Sequence, residues 1–156
     1  MIPAEENLLR LAFTEAQHAK EHGNHPFGAV LVNAEREPLL AAENSVLTQK
    51  DVTAHAELNL VRAATKNYKP EQLALCTLYT SAEPCAMCAG AIVWGNIRQV
   101  VFGLGMESLF TLIGDVENFQ SLRLPSRSVF EYASQPIQVT GAVLEEEALI
   151  PHKDFW

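Results

Sequence analysis

Basic residues are scarce in this 156-residue chain: eleven Lys and Arg stand against nineteen Asp and Glu, a formal net charge of −8. A field of that sign repels polyanions and weakens non-specific binding to nucleic acid, so a small, neutral or weakly charged substrate is expected and a nucleic-acid partner is not. Long apolar runs are missing too. The uncharged stretch Leu73 to Ala82 is broken by Cys76, Thr77, Tyr79, Thr80 and Ser81, and nothing approaches the ~20 apolar residues of a membrane span. The opening Met-Ile-Pro-Ala-Glu-Glu has neither the basic nor the apolar region of a secretory signal, which makes the cytoplasm the expected location. Cysteine is sparse: three residues, an odd count, favour metal or redox chemistry over a disulfide framework. Cys76, inside an apolar run, reads as an inert core residue.

What is present is the make-up of an ordinary globular protein, 48% hydrophobic and 19% charged, without repeats, and the length fits one domain over residues 1–156. Leu8, Leu9, Ala12, Phe13, Ala16 and Ala19 recur at spacings of three and four, which predicts an amphipathic helix over residues 5–21 stopped by Gly23. Residues 27–33 and 39–44 read as two strands of a hairpin. Thr53 is the expected cap of a helix over 54–67, ended before Pro70. A buried strand is expected over 73–81, a short helix over 86–94, and a strand over 99–102. Beyond these come a helical segment over 108–114, a loop at Leu124-Pro125, a late strand over 137–143, a brief helix over 145–149 and an irregular aromatic tail from Pro151 to Trp156. Strands separated by helices predict a three-layer α/β/α arrangement around a mixed sheet.

Within that pattern, His55-Ala56-Glu57 is followed, thirty residues after His55, by Pro84-Cys85-Ala86-Met87-Cys88. One imidazole and two thiolates make three metal ligands. Structural zinc is usually closed by four protein groups, whereas catalytic zinc keeps three and leaves a position for water. Both ligand segments fall at predicted helix starts, whose positive dipole ends favour thiolate over thiol. Glu57, two residues past the ligand His55, is placed to move protons. Taken alone, His-Ala-Glu is mostly chance, and Cys-x-x-Cys could be a redox pair or half a zinc ribbon. Together and in order, with the preceding Pro, they match the signature of the zinc deaminases, in which the Glu is the proton shuttle and not a ligand.

Further matches are Pro26-Phe-Gly-Ala-Val30, Asn44, Thr53-Ala-His-Ala-Glu57, Tyr79-Thr-Ser-Ala-Glu-Pro-Cys-Ala-Met-Cys88, Ala89-Gly-Ala-Ile-Val-Trp94 and Val101-Phe-Gly103. With them the chain resembles the cytidine deaminase superfamily from about Pro26 to Gly103, in the branch that holds guanine, cytosine and tRNA adenosine deaminases. The resemblance implies a five-stranded mixed sheet between helices, a Zn²⁺ held by His55, Cys85 and Cys88, and hydrolytic replacement of an exocyclic amine with release of ammonia. It places Glu57 as the acid and base, Phe27 as a ring that stacks on the base, Asn44 as a hydrogen-bonding partner, and the Ala56 backbone against the base or the attacking oxygen. It also implies a homodimer. Within the branch, tRNA adenosine deaminases carry a basic segment after Val-Phe-Gly and a basic C-terminal helix; here no Lys occurs between Lys69 and Lys153, which disfavours that substrate. Guanine, converted to xanthine, is the expected substrate, with s-triazines or aminopurines beside it and a cytosine or nucleoside deaminase as the alternative. A remote carboxylate on the guanine edge would be Asp115 or Glu117, with Asp115 favoured. Trp156 or Phe155 could stack opposite Phe27 to sandwich a base, or the tail could merely pack.

Other residues are expected to be bland. His18 and His22 read as solvated, His25 as a candidate for the pocket border, and Glu145-Glu-Glu147 as a solvated face, and His152 is assigned no role as ligand or base. Phe13, Leu8, Trp94, Ile92 and Val93 read as core or dimer contacts. Two rivals from other classes remain: a zinc-stabilised binding module without catalysis, and a Cys85/Cys88 redox protein.

Overall fold

The computed structural model describes residues 1–114, 116 and 120–156. Helix α1 (Pro3–Glu21) starts with Pro at its first position and ends where Gly23 takes φ +88°, and its buried residues are the six apolar positions named above. Strands β1 (Gly28–Val32) and β2 (Pro38–Glu43) form the hairpin. After a four-residue helix α2 (Val46–Gln49) come α3 (Ala56–Asn67), the single turn α4 (Pro70–Leu73) and β3 (Thr77–Ala82). Helix α5 (Ala86–Trp94) leads to β4 (Gln99–Leu104), α6 (Met106–Ile113), α7 (Ser126–Phe130), β5 (Gln138–Thr140), α8 (Glu145–Ala148) and a 3₁₀ turn, Ile150–His152.

The five strands form one mixed sheet in the order β2-β1-β3-β4-β5. β1 is antiparallel to both neighbours, and β3, β4 and β5 are parallel. Alternation along β1 sends Ala29 and Leu31 into a core with α3, α5 and α7, and Val30 and Val32 into a second core with α1, α6 and α8. The result is the expected three-layer architecture. α1 lies so close over the start of β1 that a Cβ at Gly28 would come 2.4 Å from the Ala12 carbonyl and the Ala16 amide, so only glycine fits there. In open α/β sheets ligands collect beyond the carboxyl ends of the parallel strands, and the chain leaving the carboxyl end of β3 runs directly into Cys85.

Several expectations shift. Thr53 does not cap α3: its hydroxyl donates to Asp51 Oδ1 at 2.7 Å in a local turn, and His55 occupies the cap position. Residues 73–76 are not strand, because Pro70 opens α4 and delays β3 to Thr77. The late strand shrinks to Gln138–Thr140, whereas the helix before it starts earlier, at Met106. Helices α2, α4 and α7 were not anticipated, since four or five residues are too few to display a 3.6-residue period. Trp94 is 91% exposed and therefore not core, while Ile92, two residues earlier, is fully buried. Nor is the acidic run idle: Glu147 forms a two-pronged pair with Arg10 of α1 at 2.8 and 2.9 Å, and Glu145 accepts the Gly105 amide at the start of α6. Among the described residues no helix is long and apolar enough to cross a membrane.

Candidate functional site

Helices α3 and α5 pack together on one face of the sheet, and their N-terminal ends carry the motif residues. His55 stands at the cap of α3 and Cys85 at the cap of α5, with Cys88 in the first turn of α5. His55 Nδ1 lies 3.5 Å from Cys85 Sγ and 3.5 Å from Cys88 Sγ. The three ligand atoms lie within 4.8 Å of one another. Tetrahedral zinc, with Zn–S near 2.3 Å and Zn–N near 2.0–2.1 Å, requires an N···S separation of about 3.6 Å. The donor set and its spacing therefore fit that ion.

The charges fit as well. Cys85 is held down to about 4, first by the Cys88 side chain that hydrogen-bonds it and then by His55. The same pairing, together with burial, pushes Cys88 up, although the Leu58 amide partly favours its thiolate. His55 is raised by its contact with Cys85. Two thiols and an imidazole competing for protons are the groups a divalent cation discharges, so metal affinity at this site must rise with pH. Glu57, in the first turn of α3, is buried, and that burial, with the Cys85 charge, raises its carboxyl above the ordinary range. Its Oε1 accepts the Thr80 hydroxyl of β3 at 2.9 Å.

Around this centre the sequence-predicted residues divide. Asn44 is buried just past β2, with Oδ1 accepting the Val46 amide at 3.1 Å, and its backbone N–H donates to the Phe27 carbonyl, which ties Asn44 to Phe27. Ala56 is fully buried in the first turn of α3, where helix amides have no acceptor within the helix. His25 is close enough to His55 for the imidazole charges to interact. Asp115 and Glu117 lie outside the described residues.

The aromatic tail docks. Trp156 stacks on His25 with ring centres 5.7 Å apart and planes at 13°. Against Phe27 it is 6.3 Å away and tilted by 52°. A base held between two rings needs parallel planes about 7 Å apart, twice a van der Waals contact, so these two rings do not form the expected sandwich. His152 adjoins both rings: it meets Phe27 edge-on at 5.4 Å, and its Nδ1 accepts the Trp156 indole N–H at 3.0 Å. His152 is 2% exposed. The spacing of Pro151-His-Lys-Asp-Phe-Trp156 could have shown this, since His152 and Trp156 are four residues apart in a segment that turns.

Burial, and to a smaller extent Lys20, lowers His152 to about 4 from an ordinary 6.5. Between those values the unfolded chain binds a proton that the folded chain refuses, so this stability is complete above about pH 6.5 and is lost as pH falls toward 4. At about 1.4 kcal/mol per pKa unit the loss reaches about 3 kcal/mol. Denaturant midpoints across pH 4–7 should therefore fall more steeply for the wild type than for His152→Gln, which keeps an acceptor for the indole without the titration. Parallel curves would refute the assignment.

Comparison with known proteins agrees with this geometry. The family described as the cytidine and deoxycytidylate deaminase zinc-binding region matches residues 3–104. A probable cytosine deaminase of Schizosaccharomyces pombe is 45% identical over 148 residues, 95% of this chain and 90% of that protein. The tRNA-specific adenosine deaminase of Haemophilus influenzae is 34% identical over 152 residues, 94% of this chain and 88% of that one. The structure of guanine deaminase from Bacillus subtilis superposes with a TM-score of 0.62 at 31% identity, covering 98% of this chain and 92% of the other. The expected superfamily, fold and zinc cofactor are thus upheld, and the substrate is narrowed only to that of a deaminase. With its zinc-fitting ligand set at the carboxyl end of β3, this chain belongs to the cytidine and deoxycytidylate deaminase family of zinc-dependent deaminases.

Proposed function

We propose that the chain removes the exocyclic amine of a free base by hydrolysis, with cytosine as the leading substrate and guanine as the second. The observation that carries the chemistry is the convergence of His55, Cys85 and Cys88 on one point beside the buried carboxyl of Glu57. Zinc held by those three residues would supply Lewis acidity and lower the pKa of a water toward neutrality.

The chain's own groups do the rest. Glu57, its carboxyl raised by burial, is the residue that takes one proton from the water and delivers it to a ring nitrogen, then takes a second from the hydroxyl added to the base and delivers it to the departing amine. Asn44 is committed on one side, because the Val46 amide can only donate and so must face Oδ1. Nδ2 is then the end that meets the base, and it selects a ring carbonyl or an unprotonated ring nitrogen. The Ala56 amide is a further donor for a base oxygen, Phe27 offers a stacking face, and Trp156 closes the rim.

Two observations put the single-ring base first, the reverse of the order the motifs suggested. The similarity to the S. pombe protein spans 148 of 156 residues and so must include α6, α7 and β5, well beyond the zinc region. The docked tail also brings Trp156 and His152 within about 6.3 Å of Phe27, which narrows the space beside that ring. Guanine is kept by the superposition on the B. subtilis enzyme over 98% of the chain. A structured RNA is the least favoured substrate, given the net charge of −8. Helices α5 and α7 pack together, and the exposed rings Trp94 at the end of α5 and Tyr132 after α7 support a homodimer through those helices, which sedimentation of the protein against Trp94→Ser checks.

The deciding measurement is ammonia release by zinc-loaded protein on cytosine, guanine, adenine, their nucleosides and aminotriazines. Turnover on cytosine above guanine supports the leading reading, the opposite order reinstates guanine, and silence on all of them overturns free-base deamination.

A further inference from the structure

Thr80 lies in the middle of β3, paired with Ala29 of β1 and Phe102 of β4, and it is completely buried. With Leu78 it points toward α3, into a layer filled mainly by apolar side chains. A valine would match its shape there, and a hydroxyl in such a place has to be explained by what it bonds. Its oxygen lies 2.9 Å from Glu57 Oε1 and 3.0 Å from the Ala82 carbonyl. One hydroxyl carries one proton, so the two acceptors are alternatives. The Ala82 carbonyl alone would satisfy the threonine, and the contact with Glu57 therefore serves the carboxyl.

We infer that Thr80 is a positioning residue for Glu57: its buried hydroxyl fixes the carboxyl plane and engages Oε1, so that the second oxygen is the one turned to the reacting proton. The inference rests on the reading of Glu57 as the proton carrier. Oε1 keeps its lone pairs whether or not the second oxygen carries a proton, so one donor on Oε1 holds the carboxyl in a single plane through both halves of the reaction.

The test compares Thr80→Val, which keeps the shape and removes the hydroxyl, with Thr80→Ser, which keeps the hydroxyl, and with both variants placed on Glu57→Gln. Thr80→Val should lower kcat by about 10- to 100-fold, the size of effect a misplaced proton carrier produces. KM and zinc content should stay within about twofold of the wild type. A stably hydrated analogue of the base should bind more weakly by the same factor as the loss in kcat, and Thr80→Ser should restore most of both. On Glu57→Gln, Thr80→Val should cost nothing further, because the group it positions is gone.

A Thr80→Val enzyme with wild-type kcat overturns the inference, as does a loss in kcat that persists undiminished on Glu57→Gln, or one that follows lowered zinc content and is not rescued by serine. If Thr80→Val fails to fold, the serine variant and its affinity for the hydrated analogue still decide: weak binding and low kcat despite a hydroxyl in place refute the role. If Glu57→Gln itself turns over normally, the reading of Glu57 fails first, and this result is distinct from a silent Thr80.

Discussion

Glu57→Gln is expected to lower kcat by about 10²- to 10⁴-fold, the range that a positioned acid or base contributes, while zinc stays bound and the fold stays intact. Glutamine has the same shape and retains an oxygen that can accept from Thr80, so the buried contact at 2.9 Å survives. What is lost is the ability to take up and release a proton. Glu57 is among the few buried ionisable groups of the chain, and burial is the leading cause of its raised carboxyl. Replacing it by a neutral amide removes that desolvation penalty, and thermal stability should be unchanged or slightly higher. Activity and melting temperature should therefore move independently. A variant with kcat within twofold of the wild type would leave a zinc-stabilised binding module as the better description.

Cys88→Ala is expected to abolish zinc binding and turnover together. Cys88 is fully buried in the first turn of α5, and among the described residues the site offers three ligand atoms, so two remain. Metal analysis should give close to one zinc per wild-type chain and close to none for the variant. Free zinc at a hundred times its Kd should raise wild-type stability by about 2.7 kcal/mol and leave the variant unchanged, which thermal unfolding measures. Because His55, Cys85 and Cys88 must shed protons to ligate, wild-type affinity should also weaken as pH falls, with proton release visible as a buffer-dependent heat. A variant that keeps its zinc would place the ion elsewhere. A Cys85–Cys88 disulfide in the wild type with no zinc bound would favour redox chemistry.

Much of the site was legible because its chemistry is local. Three ligands, a carboxylate two residues from one of them and the proline ahead of Cys85 are readable as a string, and the two helix starts follow from apolar spacing. What escaped was set by contacts distant in sequence. Thr53 has every attribute of a helix cap, yet Asp51 captured its hydroxyl first. Glu145 to Glu147 reads as a solvated run until α8 packs beside α1 and the start of α6, where those carboxylates meet Arg10 and the Gly105 amide. His152 is an unassigned histidine in the string and a buried acceptor in the fold. Glu83 was passed over as the residue before Pro84, yet it accepts from Met106 and Ser126 and so holds the starts of α6 and α7 together.

The sequence by itself determined the zinc ligands, the reaction class they imply and the alternation of strands and helices, because each depends on residue identity at short spacing or on hydrophobic period. Only the tertiary structure decided that Thr80 reaches Glu57, that Asn44 must turn its oxygen to Val46 and its nitrogen away, and that the tail folds back onto His25 and Phe27. Those relations join residues as far apart as 131 positions, and they arise from sheet order and helix packing, which bring side chains together without leaving a periodic trace in the chain.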